Sequence, residues 1–234
     1  MKLPKKISPC PIVDSIVDFR FEPNIHYSAV FGVVYNALKK NYPDVEGLPI
    51  LNIPEDVRIK DPLFKYKPFH KISNSNFIIQ VGYNVLSISS FPKYVGWEDF
   101  SNEIFNLIEK VTNIELFGNV TRLGMRYINF FDIDIFQKIN MNLSFSDNKI
   151  KYFDTFTRTI IDHGKFKSNL QIANNAVHLG KKGSLIDIDT FYENEINEFL
   201  TEYKNLIQEI HLNEKKLFIS LLKEEFLKTL NPEY

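Results

Sequence analysis

Arg122 and Arg126 stand four residues apart in the run Asn119-Val120-Thr121-Arg122-Leu123-Gly124-Met125-Arg126-Tyr127-Ile128-Asn129-Phe130-Phe131. The run reads as a strand, and strand side chains alternate faces, so both guanidiniums share a face with Val120, Gly124, Ile128 and Phe130. Leu123, Met125, Tyr127 and Phe131 make the opposite, apolar face. Two guanidiniums on a mostly apolar strand need counter-charges, from the protein or from a bound anion. A second strand pattern, Ile12 to Phe21, puts Val13, Ser15, Val17, Phe19 and Phe21 on one face and Asp14, Asp18 and Arg20 on the other. If the two strands are neighbours, Asp14, Asp18 and Arg20 form a charge ladder with Arg122 and Arg126. Otherwise these five residues are candidates to hold an anion or a nucleotide. Internal pairing is the expectation for most arginines of a folded chain.

Two acidic pairs bear on metal chemistry. Asp132 and Asp134, and Asp187 and Asp189, are each two residues apart. On a strand each pair presents both carboxylates to one side, as a Mg2+ site requires. Against this, each pair falls at the end of a strand pattern, where acids face solvent or cap a helix. Thr190 and Glu193 have the Thr-x-x-Glu spacing of a capping box, and Asp189 just before them suits a helix N-terminus. Mg2+ is the one cofactor considered, and only under this reading; otherwise no cofactor is expected.

The chain has no G-x-x-x-x-G-K-[ST] loop, no G-x-G-x-x-G after a strand, no G-x-S-x-G elbow and no H-E-x-x-H helix. Its histidines, His26, His70, His163, His178 and His211, are scattered, and Cys10 has no base beside it in the sequence. Arg158, His163, Lys165, Lys167 and the pair Lys181-Lys182 lie near Tyr152, Phe153, Phe156 and Phe166. Cations interleaved with aromatics suit single-stranded nucleic acid, but a solvated face over a phenylalanine core is the simpler account. Glu193, Glu195, Glu198, Glu202 and Glu209 give the closing helix an acidic character that suits a protein partner better than nucleic acid.

The elements that must position these residues follow from periodicity. Tyr27 to Tyr42 has helical spacing in Val30, Phe31, Val34, Tyr35 and Leu38. Residues 43–69, with Pro43, Pro49, Pro54, Pro62 and Pro68, read as an irregular excursion with one short strand. A hairpin follows, Lys71 to Val81 and Val85 to Phe91, turning at Gly82-Tyr83-Asn84. A helix opens at Trp97 and runs to about Thr112 on the stripe Phe100, Ile104, Leu107, Ile108 and Val111. The resulting order is the β-α-β-β-α-β order of ferredoxin-like folds.

Beyond residue 131, Asn142 to Phe145, Phe153 to Ile161, Lys167 to Ile172 and Ser184 to Ile188 read as strands. Asp147-Asn148, Asn174-Asn175 and the basic Gly180-Lys181-Lys182-Gly183 read as turns. Ile196, Phe199, Leu200, Tyr203, Ile207 and Ile210 begin a long closing helix, with a kink expected near His211-Leu212-Asn213. The expected class is α+β: a ferredoxin-like first half (1–131), a β-rich second half (132–234) sharing its core, and a long C-terminal helix packed on the sheet.

Composition sets the outer bounds. The 234 residues are 44% hydrophobic and 24% charged, ordinary for a globular chain, and the net charge of −1 gives no global attraction to nucleic acid or an anionic membrane. Only five of the 28 basic residues are arginine: Arg20, Arg58, Arg122, Arg126 and Arg158. Arginine is thus kept for places where a planar, multi-donor cation has a use that lysine lacks. A lone cysteine makes no internal disulfide and points to a reducing, cytoplasmic setting. No apolar run approaches the length of a membrane helix.

Several stretches resemble a sporadically distributed bacterial family of proteins of about this length. They are Pro9-Cys10-Pro11-Ile12-Val13-Asp14, with Asp14 where the family usually has Glu; Gln80-Val81-Gly82 with Leu86-Ser87, Tyr94 and Trp97-Glu98; Arg122-Leu123-Gly124-Met125-Arg126-Tyr127-Ile128-Asn129; and Asp187-Ile188-Asp189 followed by His211 and Phe218. The resemblance covers nearly the whole chain and implies no catalytic assignment. The family's patchy distribution implies mobile or defence-associated genes. The expected function is a cytoplasmic binding module for another protein, in a mobile-element, antiphage defence or toxin-neutralising system, and not an enzyme. The alternatives are a metal-dependent hydrolase or nuclease using the Asp pairs, and an anion or nucleotide sensor using Arg122 and Arg126.

Overall fold

The computed structural model describes residues 2–141, 144–145, 148–149, 154–193 and 199–234. Expectations that rest on Asn142, Asp147, Tyr152, Phe153, Glu195, Ile196 and Glu198 lie outside the described residues. The class is α+β, an antiparallel sheet with helices packed on it. In chain order the elements are β1 (Ile12–Pro23), α1 (Val30–Leu38), β2 (Asp44–Gly47), α2 (Glu55–Lys60), β3 (His70–Ser73), β4 (Phe77–Val81), β5 (Val85–Ser90), α3 (Trp97–Thr112) and β6 (Phe117–Phe131). There follow β7 (Ser144–Phe145), β8 (Asn148–Lys149), β9 (Phe156–Asp162), β10 (Lys167–His178), β11 (Lys181–Tyr192), α4 (Phe199–Leu221) and α5 (Glu224–Thr229). Among the described residues no helix is long and apolar enough to cross a membrane.

The chain divides into two compact units. Unit 1 is Met1–Val13, Arg126–Thr190 and Gln208–Tyr234, and unit 2 is Asp14–Met125 and Phe191–Ile207. In unit 2 the strand order is β2-β3-β4-β5-β1-β6. The β4–β5 hairpin turns at Gly82-Tyr83-Asn84, and β5 pairs antiparallel with β1, Asp18 opposite Ser87. Val17, Phe19, Phe21, Ile72, Ile79 and Ile88 fill the inner face, against Val30, Val34 and Leu38 of α1 and Phe100, Ile104 and Leu107 of α3. Phe199 stands edge-on to Phe19 and Phe117. Removing this apolar surface from water is the main stabilising term.

In unit 1 the order is β6-β11-β10-β9. Its core gathers Phe131, Leu170, Ile172, Ile186 and Ile188 from the strands under Phe218, Ile219 and Leu222 of the C-terminal region. β9 pairs with β10 in a register that puts Ala173 opposite Phe156 and Gln171 opposite Arg158.

Several local expectations are corrected. The proline-rich excursion contains β2 and the six-residue α2, whose Pro54 and acidic Glu55 and Asp56 favour a helix start. The stretch Lys71–Val81 is two strands, because the Asn74 side chain accepts hydrogen bonds from the backbone N–H of Asn76 and Phe77 and closes a turn there. Asn174 and Asn175 lie within β10, where Asn175 has φ +57°. Lys181, Lys182 and Gly183 belong to β11, leaving Leu179 and Gly180 as the turn. β11 continues through Thr190, so Thr190 caps no helix. It is fully buried, and its hydroxyl bonds that of Ser168 at 2.7 Å. α4 runs without interruption through His211-Leu212-Asn213.

Candidate functional site

The first arginine of the pair is held within unit 2. Arg122 Nη1 donates to both carboxylate oxygens of Asp18, at 2.5 and 2.7 Å. The guanidinium is almost wholly buried, with the Phe191 ring 4.7 Å from its carbon. Gly124 makes the seat possible. A Cβ there would lie 2.3 Å from Arg122 Nη1 and 2.6 Å from Asp18 Oδ1. The spacing Arg122-x-Gly124 therefore lets the ion pair lie flat against its own strand. Arg20 Nε comes within 3.8 Å of Asp18 Oδ2, and its guanidinium lies 4.8 Å from the Tyr66 ring. Asp14 is half-buried on β1. This part of the ladder joins neighbouring strands, as the alternation on β1 and β6 leads one to expect.

The second arginine takes a different partner, within unit 1. Arg126 Nε and Nη2 donate to Asp187 Oδ1 and Oδ2 at 2.8 and 2.6 Å, a two-pronged pair. Gln171 Nε2 donates to Asp187 Oδ2 at 3.3 Å. The Arg126 side chain remains 40% exposed, whereas Asp187 is buried. Asp187 is thereby held in an ion pair, and Asp189 lies beyond it in β11, half-buried. Asp132 is exposed. Asp134 caps a short 3-10 turn, accepting from the N–H of Phe136, and also takes Asn174 Nδ2 at 3.0 Å. Among the described residues no three of His, Cys, Asp and Glu are grouped to hold a metal ion.

Two serine–histidine contacts occur among the described residues: His26 Nδ1 to Ser28 Oγ at 2.8 Å, on the surface between near neighbours, and His163 Nε2 to Ser168 Oγ at 3.0 Å. Ser168 is fully buried and bonded to Thr190, so its hydroxyl is no accessible nucleophile. Two further ionisable groups are buried on α4. Burial holds His211 down to a pKa of about 3, with Lys215 adding to the effect. Burial pushes the Glu214 carboxyl up to about 8, against a smaller opposite pull from Lys215.

Unit 1 also carries exposed apolar side chains, of which the sequence patterns single out Phe156 but not Val177 or Leu179. Phe156 is 63% exposed, Val177 64% and Leu179 89%. Leu179 and Gly180 have φ of +47° and +77°, making the β10–β11 turn. Two successive left-handed residues match the twist of a hairpin, and Asn-Gly is the usual choice. A leucine in that conformation costs about 1–2 kcal/mol. The exposed Lys181 and Lys182 follow directly. The signal was present in the string Val177-His178-Leu179-Gly180, where an apolar residue stands in a turn position.

No protein-family model matches the chain, and no curated protein matches it in sequence.

Proposed function

We propose that this chain is a binding module that docks on another protein through the β10–β11 tip, and that it is not an enzyme. The observation that carries this is Leu179, an almost fully exposed leucine held at positive φ at the end of a hairpin. Backbone strain of that kind persists where it has a use, and an exposed apolar group rimmed by charge marks an interaction site. Val177 and Phe156 add apolar area in the same unit, and Lys181 and Lys182 supply positive charge beside the tip. The matching partner surface is an apolar pocket bordered by carboxylates. A cytoplasmic setting and a role in a mobile-element, defence or toxin-neutralising system are part of this reading, and rest on the sequence resemblance and the lone cysteine. So is a ferredoxin-like first half, supported by the strand order β4-β5-β1-β6. The two alternatives draw less support, because Arg122, Arg126 and Asp187 are already engaged in ion pairs.

The test is a quantitative pull-down from the native host with the tagged full chain, its Leu179→Asp and Val177→Asp variants, and Lys204→Ala as a control outside the tip. A stoichiometric protein retained by the wild type and by Lys204→Ala, and lost with both tip variants, supports the reading. Equal capture by all four chains overturns it, as does Leu179-dependent binding to anionic vesicles with no protein partner.

A further inference from the structure

Arg58 is one of the five arginines of the chain, and its surroundings in unit 2 are unlike those of Arg122 and Arg126. It sits on α2 with only 9% of its surface exposed. Its Nε donates to the Ile53 carbonyl at 2.9 Å, and Nη1 donates to the Tyr83 hydroxyl at 3.4 Å. The guanidinium carbon lies 4.8 Å from the centre of the Phe69 ring and 5.9 Å from that of Tyr83. Among the described residues no carboxylate reaches ion-pair distance of it. Glu55 reaches it only through Tyr83, whose hydroxyl accepts from Arg58 and donates to Glu55 at 2.9 Å, and Glu22 takes Lys65 at 2.8 Å and Asn84 Nδ2 at 3.0 Å. The charge is felt locally: burial first, then Arg58, hold His70 below its ordinary pKa.

A guanidinium keeps its charge at any ordinary pH, so burying one without a counter-ion is expensive unless an anion arrives. Arg58 lines a cleft of about 270 Å3 together with Lys60, Lys65, Tyr27, Tyr83 and Asn84. Arg58 and Lys60, with Lys65 of the Lys65–Glu22 pair at the rim, favour an anion with several acceptor oxygens, which a phosphoryl group supplies. The Tyr27 and Tyr83 rings meet edge to face at 4.9 Å and, with Pro62 and Ile59, make the apolar wall. A planar ring stacks on such a wall, and base–tyrosine contacts are worth roughly 1–3 kcal/mol each. At about 270 Å3 the cleft lies just below the roughly 300 Å3 at which ligand pockets begin, which leaves no room for a dinucleotide.

We propose that this cleft binds a mononucleotide, with the phosphoryl group on Arg58, Lys60 and Lys65 at its rim, and the base against Tyr27 and Tyr83. The site is independent of the protein-docking reading above. It is tested by calorimetric titration of the full chain with the four common nucleoside monophosphates, with adenosine and with inorganic phosphate, at one ionic strength. The expected result is that at least one monophosphate binds about tenfold or more tighter than either adenosine or phosphate, a difference of about 1.4 kcal/mol. Arg58→Lys should weaken it about tenfold, since the fork geometry is lost while the charge stays. Because Arg58 is buried, the exposed pair Lys60→Ala with Lys65→Ala provides a second variant that leaves the core alone, and several-fold weakening is expected there too. No binding at about 1 mM, or binding unchanged in both variants, overturns the proposal. Inorganic phosphate binding as tightly as every monophosphate overturns it as well, since the rings then contribute nothing.

Discussion

Arg122 and Arg58 are two buried arginines of unit 2, each against aromatic rings and each with little exposed surface. Arg122 has a carboxylate, Asp18, brought to it by the pairing of neighbouring strands and a glycine that clears its path. Arg58 has a carbonyl, a phenol and two rings, and a cleft in front of it. The fold satisfies the first arginine internally. It gives the second no carboxylate at ion-pair distance among the described residues. Glu214, in unit 1, offers a third case. It too is buried with no ion pair among the described residues, but a carboxyl escapes the cost by keeping its proton, which is why burial lifts it to about 8. Arginine has no such escape.

The largest expected effect comes from breaking the satisfied pair. Asp18→Ala leaves a buried guanidinium without its carboxylate and should cost about 3 kcal/mol, lowering the Tm by roughly 6–12 °C, as urea and thermal unfolding will read. Next is Gly124→Ala, whose Cβ would meet Arg122 Nη1 at 2.3 Å. A loss of about 2 kcal/mol is expected. Combining it with Arg122→Met should recover part of that loss, because the nearer of the two clash partners is then gone and only Asp18 Oδ1 stays close; strict additivity of the two would refute a seat shaped by the glycine.

Glu214 sharpens the contrast through pH. Its pKa rises from 4.5 to about 8 on folding, so the unfolded chain releases this proton first and stability falls as pH climbs through that window. His211 falls from 6.5 to about 3, so its contribution is lost as pH drops from 6.5 toward 3. The two slopes oppose each other between 4.5 and 6.5 and leave a plateau there, with decline on either side. Glu214→Gln should abolish the alkaline decline and raise the Tm at about pH 8 by roughly 5 °C. A Tm that falls equally in both proteins between pH 6.5 and 8 would remove Glu214 from the account. The smallest effect is expected at Arg126→Ala. Its half-exposed pair with Asp187 is partly compensated by water and by Gln171, so roughly 1 kcal/mol should be lost.

Much of the local structure was legible in the sequence. The stripe from Phe100 to Val111 gives α3, and Gly82-Tyr83-Asn84 gives the β4–β5 turn, because short-range periodicity decides both. The pairing of Arg122 was legible too, since the alternation on β1 and β6 puts Asp18 and Arg122 on facing sides of adjacent strands. The partner of Arg126 was not. Asp187 lies 61 positions away, and the register of β11 against β6 is set by distant contacts that no local pattern records. Thr190 misled because a Thr-x-x-Glu spacing costs nothing to form by chance, and the burial that keeps Thr190 in β11 is a tertiary effect. Arg58 stood out as one of few arginines, but its surroundings were hidden, because a six-residue helix among five prolines is too short for a periodic signal and the rings around it come from three separate segments.

The most direct measurement is a pair of unfolding curves, Arg58→Met beside Arg122→Met, in a buffer free of phosphate. Removing a guanidinium that lacks its counter-ion should leave stability within about 1 kcal/mol of the wild type or raise it, whereas removing the one that holds Asp18 should lower it by roughly 3 kcal/mol. Equal losses in the two variants would mean that the fold satisfies Arg58 as fully as Arg122, and would contradict the account.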